Sequence, residues 1–305
     1  MGRFLLRRLL RTVVVVWGVV TVVFVVVRLS GDPIALLVAP DTPPDEIARL
    51  RDRLGLNAPL PVQYGIFVRD ALTGDFGTSL RYNRDALDVV TERIPATLQI
   101  ALAAFALAVV VAVPVGILSA VRPNSLLDNV AMLLALVGQA VPTFFLGIVL
   151  ILLFAVRLGW FPTSGLGSPA GLVLPAITLG AFAMASITRL TRASMLEVLG
   201  QDFVRTARAK GLGEALVVNR HALRNALVPV VTIMGLQFGA LLGGSVVTET
   251  VFALPGMGRL IVQSIGNRDY PVVQAGVFLI ALAFVGVNFV VDVLYALLDP
   301  RIRLG

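Results

Sequence analysis

The chain has 305 residues, 57% of them hydrophobic and 14% charged, with a mean hydropathy of +0.91. Soluble domains run at roughly 45–50% apolar and about 25% charged residues, so this composition excludes an ordinary soluble enzyme and a disordered chain and points to a polypeptide lying mostly in lipid. With no Cys, it also excludes disulfides, thiolate zinc sites and Cys nucleophiles. The net charge of +7 comes from 25 Lys+Arg against 18 Asp+Glu; in a membrane chain the placement of those charges says more than their sum.

Crossing about 30 Å of hydrocarbon takes roughly 20 apolar residues. Arg11 and Arg28 bound a first stretch, Thr12–Val27, whose flanking arginines can snorkel and lengthen it. No small-x-small cleavage site follows it, only Arg28-Leu29-Ser30-Gly31-Asp32-Pro33, so it reads as a retained span rather than a signal peptide. Ile94–Val121 and Asn129–Val156 are the second and third spans. Turn formers from Gly159 to Pro169 make a loop, and a fourth span starts near Gly171. Asn225–Thr248 and Tyr270–Val291 complete six. Pro114, Pro142, Pro175 and Pro229 lie in spans or at their ends, where proline bends helices.

Lys and Arg near span ends set the orientation. Arg3, Arg7, Arg8 and Arg11 place the N-terminus in the cytoplasm, and Arg301 and Arg303 place the C-terminus on the same side. Arg122 and the loop holding Arg189, Arg192, Arg205, Arg208, Lys210, Arg220 and Arg224 also fall inside. Those inner segments hold 14 of the 25 basic residues.

Two segments stand outside the lipid. Gly31–Glu92 is extracytoplasmic. There Thr42 reads as an N-cap, Pro43 as the first helical residue, and a helix runs through Ile47, Leu50 and Leu54 to Gly55. A second amphipathic stretch follows Pro61 through Val62, Ile66 and Leu72, closed by Gly74-Asp75-Phe76-Gly77. This insert is a scaffold on the outer mouth or a docking surface for an external partner. The cytoplasmic loop 189–224 extends the fourth span. In it Asp202 can cap a short helix that Gly211 ends, Ala207 and Ala209 keep its surface low, and Phe203 and Leu212 project as anchors. A second short helix runs from Glu214 to Leu223. Such a knob suits another protein's groove or anionic headgroups.

At this loop the sequence resembles the permease subunits of bacterial ATP-binding-cassette importers, in the dipeptide, oligopeptide and nickel branch. The family's coupling signature, Glu-Ala-Ala followed by Gly, matches here at Arg205, Thr206, Ala207 and Gly211, within Arg-Thr-Ala-Arg-Ala-Lys-Gly; the Glu and the first Ala are replaced. Gly31-Asp32-Pro33, Pro142-Thr143-Phe144, Gly159-Trp160-Phe161-Pro162, Glu249-Thr250-Val251-Phe252, Pro255-Gly256-Met257-Gly258 and Asp299-Pro300-Arg301-Ile302-Arg303 are similar to the branch in order along nearly the whole chain. The resemblance implies an all-α, six-span fold of the type I importer permease. Its parts would be an N-terminal segment and first span at 1–30, a small extracytoplasmic helical insert at 31–93, a five-helix core at 94–299 carrying the coupling loop, and a tail at 300–305. It implies that Asp202, Phe203, Arg205, Thr206, Ala207, Ala209, Lys210, Gly211 and Leu212 couple the chain to an ATPase. The implied partners are a second homologous permease forming a heterodimer, two ATPase subunits, an extracytoplasmic binding protein and the bacterial inner membrane, with no nucleic acid. The implied solute is a short peptide, or alternatively a nickel chelate, haem, glutathione or another small molecule. The sequence agrees independently on one point: it has no Gly-x-x-x-x-Gly-Lys-Ser/Thr, and its one lysine is Lys210. No cofactor is expected in this chain; ATP and Mg would be bound by the partner ATPases.

Other residues keep two readings. Gly235, Gly239 and Gly243, spaced by four, either pack a helix closely or, with Ser245, line a solute path. Glu249 can contact solute, the second permease or the binding protein, or serve the fold. Asn288, Asp292 and Tyr295 share one face of the last span, and an intramembrane carboxylate is a functional suspect or a structural partner. No metal site is expected, since His221 is the one histidine. An ion-coupled secondary transporter needs buried carboxylates or broken helices near the midplane, and a serine protease needs a Ser–His pair that Ser245 and the loop residue His221 do not make.

Overall fold

The computed structural model describes residues 2–29, 34, 43–53, 55–79 and 81–298, with backbone alone at 2–9, 11, 27, 28, 50, 53 and 292–298. Thr42, Leu54, the Gly31-Asp32-Pro33 motif and the end of the chain from Asp299 lie outside these. Helices α1 (Gly2–Leu29), α2 (Pro44–Arg53), α3 (Leu60–Thr73), α4 (Ala86–Thr91), α5 (Ile94–Val121), α6 (Leu126–Ala140) and α7 (Thr143–Leu150) come first. They are followed by α8 (Ala170–Leu199), α9 (Asp202–Ala209), α10 (Glu214–Leu216), α11 (Leu223–Val251), α12 (Met257–Gly266) and α13 (Tyr270–Leu298). Among the described residues there is one antiparallel bridge, Thr78 to Asp85, and no strand.

Ala86–Val121, Ala170–Leu199, Glu214–Val251 and Tyr270–Val291 are long and apolar enough to cross a bilayer, and Thr12–Val26 is a shorter apolar helix. The third predicted span is not one rod: Leu126–Ala140 and Thr143–Arg157 meet at 112°. Val141 is extended (φ −77°, ψ 126°), as the residue before a proline prefers, and Pro142 has no N–H to carry the helix on. Pro114, Pro175 and Pro229 sit inside continuous helices.

The chain divides into two compact units, the first comprising Met1–Thr97 and Pro255–Val285. Its core gathers Val89, Val90, Leu260, Ile261, Val272 and Ala275. Pro43 precedes α2 rather than opening it, and Gly55 follows in a left-handed turn (φ 65°). Helix α3 ends at Gly74, also left-handed (φ 78°), whose N–H donates to the Asp70 carbonyl. The apolar stripe expected to pack, Val62, Ile66 and Leu72, is the exposed one. The opposite face is held instead. Tyr64 shares a 2.7 Å hydrogen bond with Thr21, and the Phe24 ring meets Tyr64 edge-on and stacks on Phe67. Two aromatic rings bury more area than the aliphatic stripe, and the phenol brings its own polar partner. The turn before α4 is fastened by buried Ser79, whose hydroxyl donates to Asp269 at 2.6 Å and accepts from the Tyr82 N–H at 3.0 Å. Asp85 caps α4 by accepting from the Leu87 and Asp88 N–H groups.

The second unit comprises Leu98–Leu254 and Gly286–Gly305. Ile100, Ala104, Ala108 and Ala112 form a fully buried row at every fourth position of α5. Small residues let α5 and α8 touch through backbone. A Cβ on Gly180 would lie 2.9 Å from the Ala104 carbonyl oxygen, and one on Gly116 2.6 Å from the Thr191 Cβ. Asp128 at the start of α6 holds Arg192 of α8 in a two-pronged ion pair of 2.6 and 2.7 Å, and also accepts from the Asn124 N–H.

Gly116→Ala is expected to lower the melting temperature of the purified complex, because overpacking costs about 1–3 kcal/mol. Gly18→Ala, whose Cβ meets nothing within 4 Å, leaves it unchanged. Asp128→Asn strands the Arg192 guanidinium and destabilises the same complex by up to about 3 kcal/mol, measured by thermal unfolding in detergent; Asp128→Leu with Arg192→Leu recovers part of the loss.

Candidate functional site

The most distinctive polar structure is the short knob between α8 and α11. Helix α9 is opened by Gln201, with no side-chain cap; Asp202, expected as the cap, is the first helical residue and stands in solvent with Arg205 at 3.4 Å. Val204 and Ala207, three residues apart on one face, are buried. They join Met195 and Val198 from the end of α8, Ala120 from the end of α5, and Val217, Val218 and Ala222 beyond α10 in one apolar cluster. Ala207 therefore does not lower the outer surface of the knob as expected; its small size lets α9 sit close on its own protein. Leu212 likewise packs toward this cluster instead of projecting. The outer face carries Asp202, Phe203, Arg205, Thr206, Ala209 and Lys210, and Phe203 is its exposed apolar anchor at 39%.

Gly211 ends the knob in a left-handed turn (φ 77°) that a Cβ would strain, and its N–H donates to the Arg208 carbonyl. Across that turn the Arg208 guanidinium grips both carboxylate oxygens of Glu214, at 3.0 and 2.6 Å. The same carboxylate holds the Arg208 pKa above its ordinary value. The expected separate helix at Glu214–Leu223 is instead the first part of α11. A π-helical segment, Val217–Ala222, joins Glu214–Leu216 to Leu223–Val251 without a break. The knob is thus built directly onto the ends of two spans, α8 and α11.

The remaining candidates separate. A Cβ on Gly235 would collide with the Val291 side chain, so this glycine packs α11 against α13. Gly239 is buried, whereas Gly243 faces open space, with nothing within 4 Å of a built Cβ. Ser245 is buried and donates to the Leu242 carbonyl at 3.0 Å. Glu249 is fully buried, which takes it off any docking surface of this chain. Asn288 is half-buried on α13; the side chains of Asp292 and Tyr295 lie outside the described residues. Among the described residues no group of three or more His, Asp or Glu is placed to hold a metal.

Two polar clusters were not singled out in the sequence. Asp128–Arg192 had a signal: opposite charges stand at the start of one predicted span and the end of the next, which places them on the same side when the two spans are antiparallel. The second is Gln139, which donates to Ser186 at 3.1 Å and accepts from Arg189 at 2.6 Å. It lines a cavity of about 260 Å³ at the bend between α6 and α7. A lone amide in an apolar run was its only trace.

Residues 112–304 match the family described as binding-protein-dependent transport system inner membrane component, and residues 1–101 match its N-terminal family. The chain is 41% identical to the dipeptide transport system permease protein DppB of Alkalihalophilus pseudofirmus, over 98% of this chain and 99% of that one. It is 46% identical to the glutathione transport system permease protein GsiC of Salmonella choleraesuis, over 99% of both. Among solved structures it resembles the inward-facing MetNI methionine ABC transporter, with a TM-score of 0.57 at 20% identity over 69% of this chain and 96% of that one. It also resembles an amino acid ABC transporter, with a TM-score of 0.51 at 18% identity over 70% and 94%. At these identities the structural likeness speaks for the fold: that of an all-helical ABC importer permease. The chain belongs to the binding-protein-dependent transport system inner membrane component family, as a multi-pass permease subunit of an ABC importer that is not itself an enzyme.

Proposed function

We propose that this chain forms half of the path by which short peptides cross the membrane, beside a second homologous permease in a heterodimer. In this reading a binding protein delivers the solute from outside, and two ATPase subunits drive the cycle from inside. The peptide class is supported by relatives named for dipeptide and for glutathione transport, matched along essentially the full chain. A nickel chelate, haem or another small solute in the same architecture is the second reading, since discrimination would rest largely with the binding protein. ATP and Mg belong to the ATPases, because this sequence has no phosphate-cradling loop. The excess of Lys and Arg in these segments supports a cytoplasmic side for both termini and the knob.

The observation that carries the mechanism is the seating of α9. Its inner face is locked into the cluster at the ends of α5, α8 and α11, and its outer face is free to enter a groove. When ATP closes the ATPase pair, a groove holding that outer face would move α8 and α11 as levers and switch access between the two sides. Such a lever needs only rigidity and a difference in contact between two states. The parts proposed to act are the core 94–299 and, within its coupling loop 189–224, the knob from Asp202 to Leu212 that the ATPases would grip; Arg189 stands on α8, outside that knob.

Reconstituted uptake is expected to require ATP, the ATPase pair and the binding protein; uptake by this chain alone on an ion gradient would overturn the proposal. Phe203→Ala removes the exposed anchor, and is expected to lower uptake about tenfold, as loss of a buried aromatic contact does at an interface, with the permease pair still assembled. Ala207→Glu forces a carboxylate into the cluster and should uncouple ATP hydrolysis from uptake by loosening the knob from α8. Gly211→Val strains the left-handed turn and is expected to act the same way. Coupled uptake at the parental rate in Ala207→Glu would contradict the lever.

A further inference from the structure

The broken third span makes a site that the coupling role does not use. Where the helix gives way at Val141, a cavity of about 260 Å³ opens against α8, lined by Gln139, Pro142 and Thr143 on one side and Thr178 and Ala181 on the other. Pro142 has no N–H to offer the Gly138 carbonyl. Irregular backbone at membrane depth persists where it is covered by protein or lines a water-filled cavity, so this bend is suited to an aqueous path and unsuited to contact with lipid.

One of the lining residues, Gln139, holds a cation. Arg189 Nη1 donates to Gln139 Oε1 at 2.6 Å, while Gln139 Nε2 donates to Ser186 Oγ at 3.1 Å, so the carboxamide that lines the cavity also aims the guanidinium. Arg189 lies 19 residues beyond Ala170, about 28 Å along α8 at 1.5 Å per residue, and Thr178 lies about 12 Å along it. The guanidinium therefore lies about three turns beyond Thr178 along α8, toward the end that the basic residues assign to the cytoplasm. Arg192, one turn further, is neutralised by the two-pronged pair with Asp128. Arg189 is exposed, and among the described residues it has a neutral amide as hydrogen-bond partner and no carboxylate paired with it. A cation on a membrane helix is expensive unless it faces water or an anion, and the planar fork of a guanidinium fits a carboxylate.

We propose that Arg189, positioned by Gln139 at the α6–α7 bend, is a subsite for the C-terminal carboxylate of the transported peptide on its way to the cytoplasm. This rests on the peptide reading of the solute: dipeptides and glutathione differ in backbone, but each ends in a free carboxylate. The cavity provides room for a short chain, and the fork held by Gln139 would bind the end that all such solutes share. Release follows when the lever motion changes the distance between α6 and α8.

The test is uptake by the complete reconstituted importer, comparing a dipeptide with its C-terminal amide at a fixed binding-protein concentration. The binding protein's own preference is common to every permease variant and cancels when variants are compared with the parent. Arg189→Ala is expected to cut free-acid uptake about tenfold, the scale of one lost charge-assisted hydrogen bond. Amide uptake and ATPase stimulation by the loaded binding protein should be unchanged. Arg189→Lys, which keeps charge and loses the fork, should fall between, and Gln139→Leu should lower the acid-to-amide ratio without abolishing uptake. An unchanged ratio in Arg189→Ala overturns the subsite, whether uptake persists or is lost together with ATPase stimulation. A parental importer that moves no peptide but moves another solute refutes the peptide reading separately. The same variants then judge the subsite on that solute's carboxylate, and a solute lacking one overturns it.

Discussion

The burial of Val204 and Ala207 is the contact on which the proposed lever depends. These two side chains fix α9 to the ends of the spans through the cluster around Met195, Val217 and Ala222. Without that contact an eight-residue helix would be marginal in water, and a pull on its outer face would bend a loop instead of displacing α8 and α11. The left-handed turn at Gly211 and the Arg208–Glu214 pair complete the fastening on the other side. That pair is exposed, so its contribution is to shape more than to stability.

Lipid imposes the second constraint. Every backbone group inside a bilayer must find its partner within the protein, which leaves helices as the means of crossing for this composition. Close approach is then bought from small residues: the alanine row of α5, Gly116 and Gly180 bring backbone against backbone where larger side chains would hold the helices apart. Charges survive at span ends as pairs, as with Asp128 and Arg192, or where water reaches them. The bend at Val141–Pro142 is the main departure from this plan, and it is where a cavity appears.

The spans were legible because charge in hydrocarbon is so costly that its absence marks a helix. The expected Ile94–Val121 coincides with α5 at both ends, and Gly211 was readable as a stop because a left-handed position calls for glycine. What composition could not supply was direction. Helix α3 carries apolar residues on two faces, and only the rings of Tyr64 and Phe67 meeting Phe24 decide which face is inside. Ala207 and Leu212 turn inward because the cluster that receives them comes from segments far apart in the chain. Pro142 announced a kink without its angle, and a π-helical stretch that merges α10 into α11 has no residue signature to distinguish it from a separate helix. Gln139 met its partners 47 and 50 positions away, a pairing visible only after α6 and α8 are laid side by side.

The central claim is that the outer face of α9 is gripped by a motor subunit, and the chain's lack of cysteine makes this directly measurable. A single Phe203→Cys substitution, labelled with a short photoreactive maleimide in the assembled importer, is predicted to form an adduct with the ATPase subunit, with a yield that changes between nucleotide-free and ATP-trapped states. Labelling confined to lipid or to the permeases, in an importer that still transports, would contradict the account.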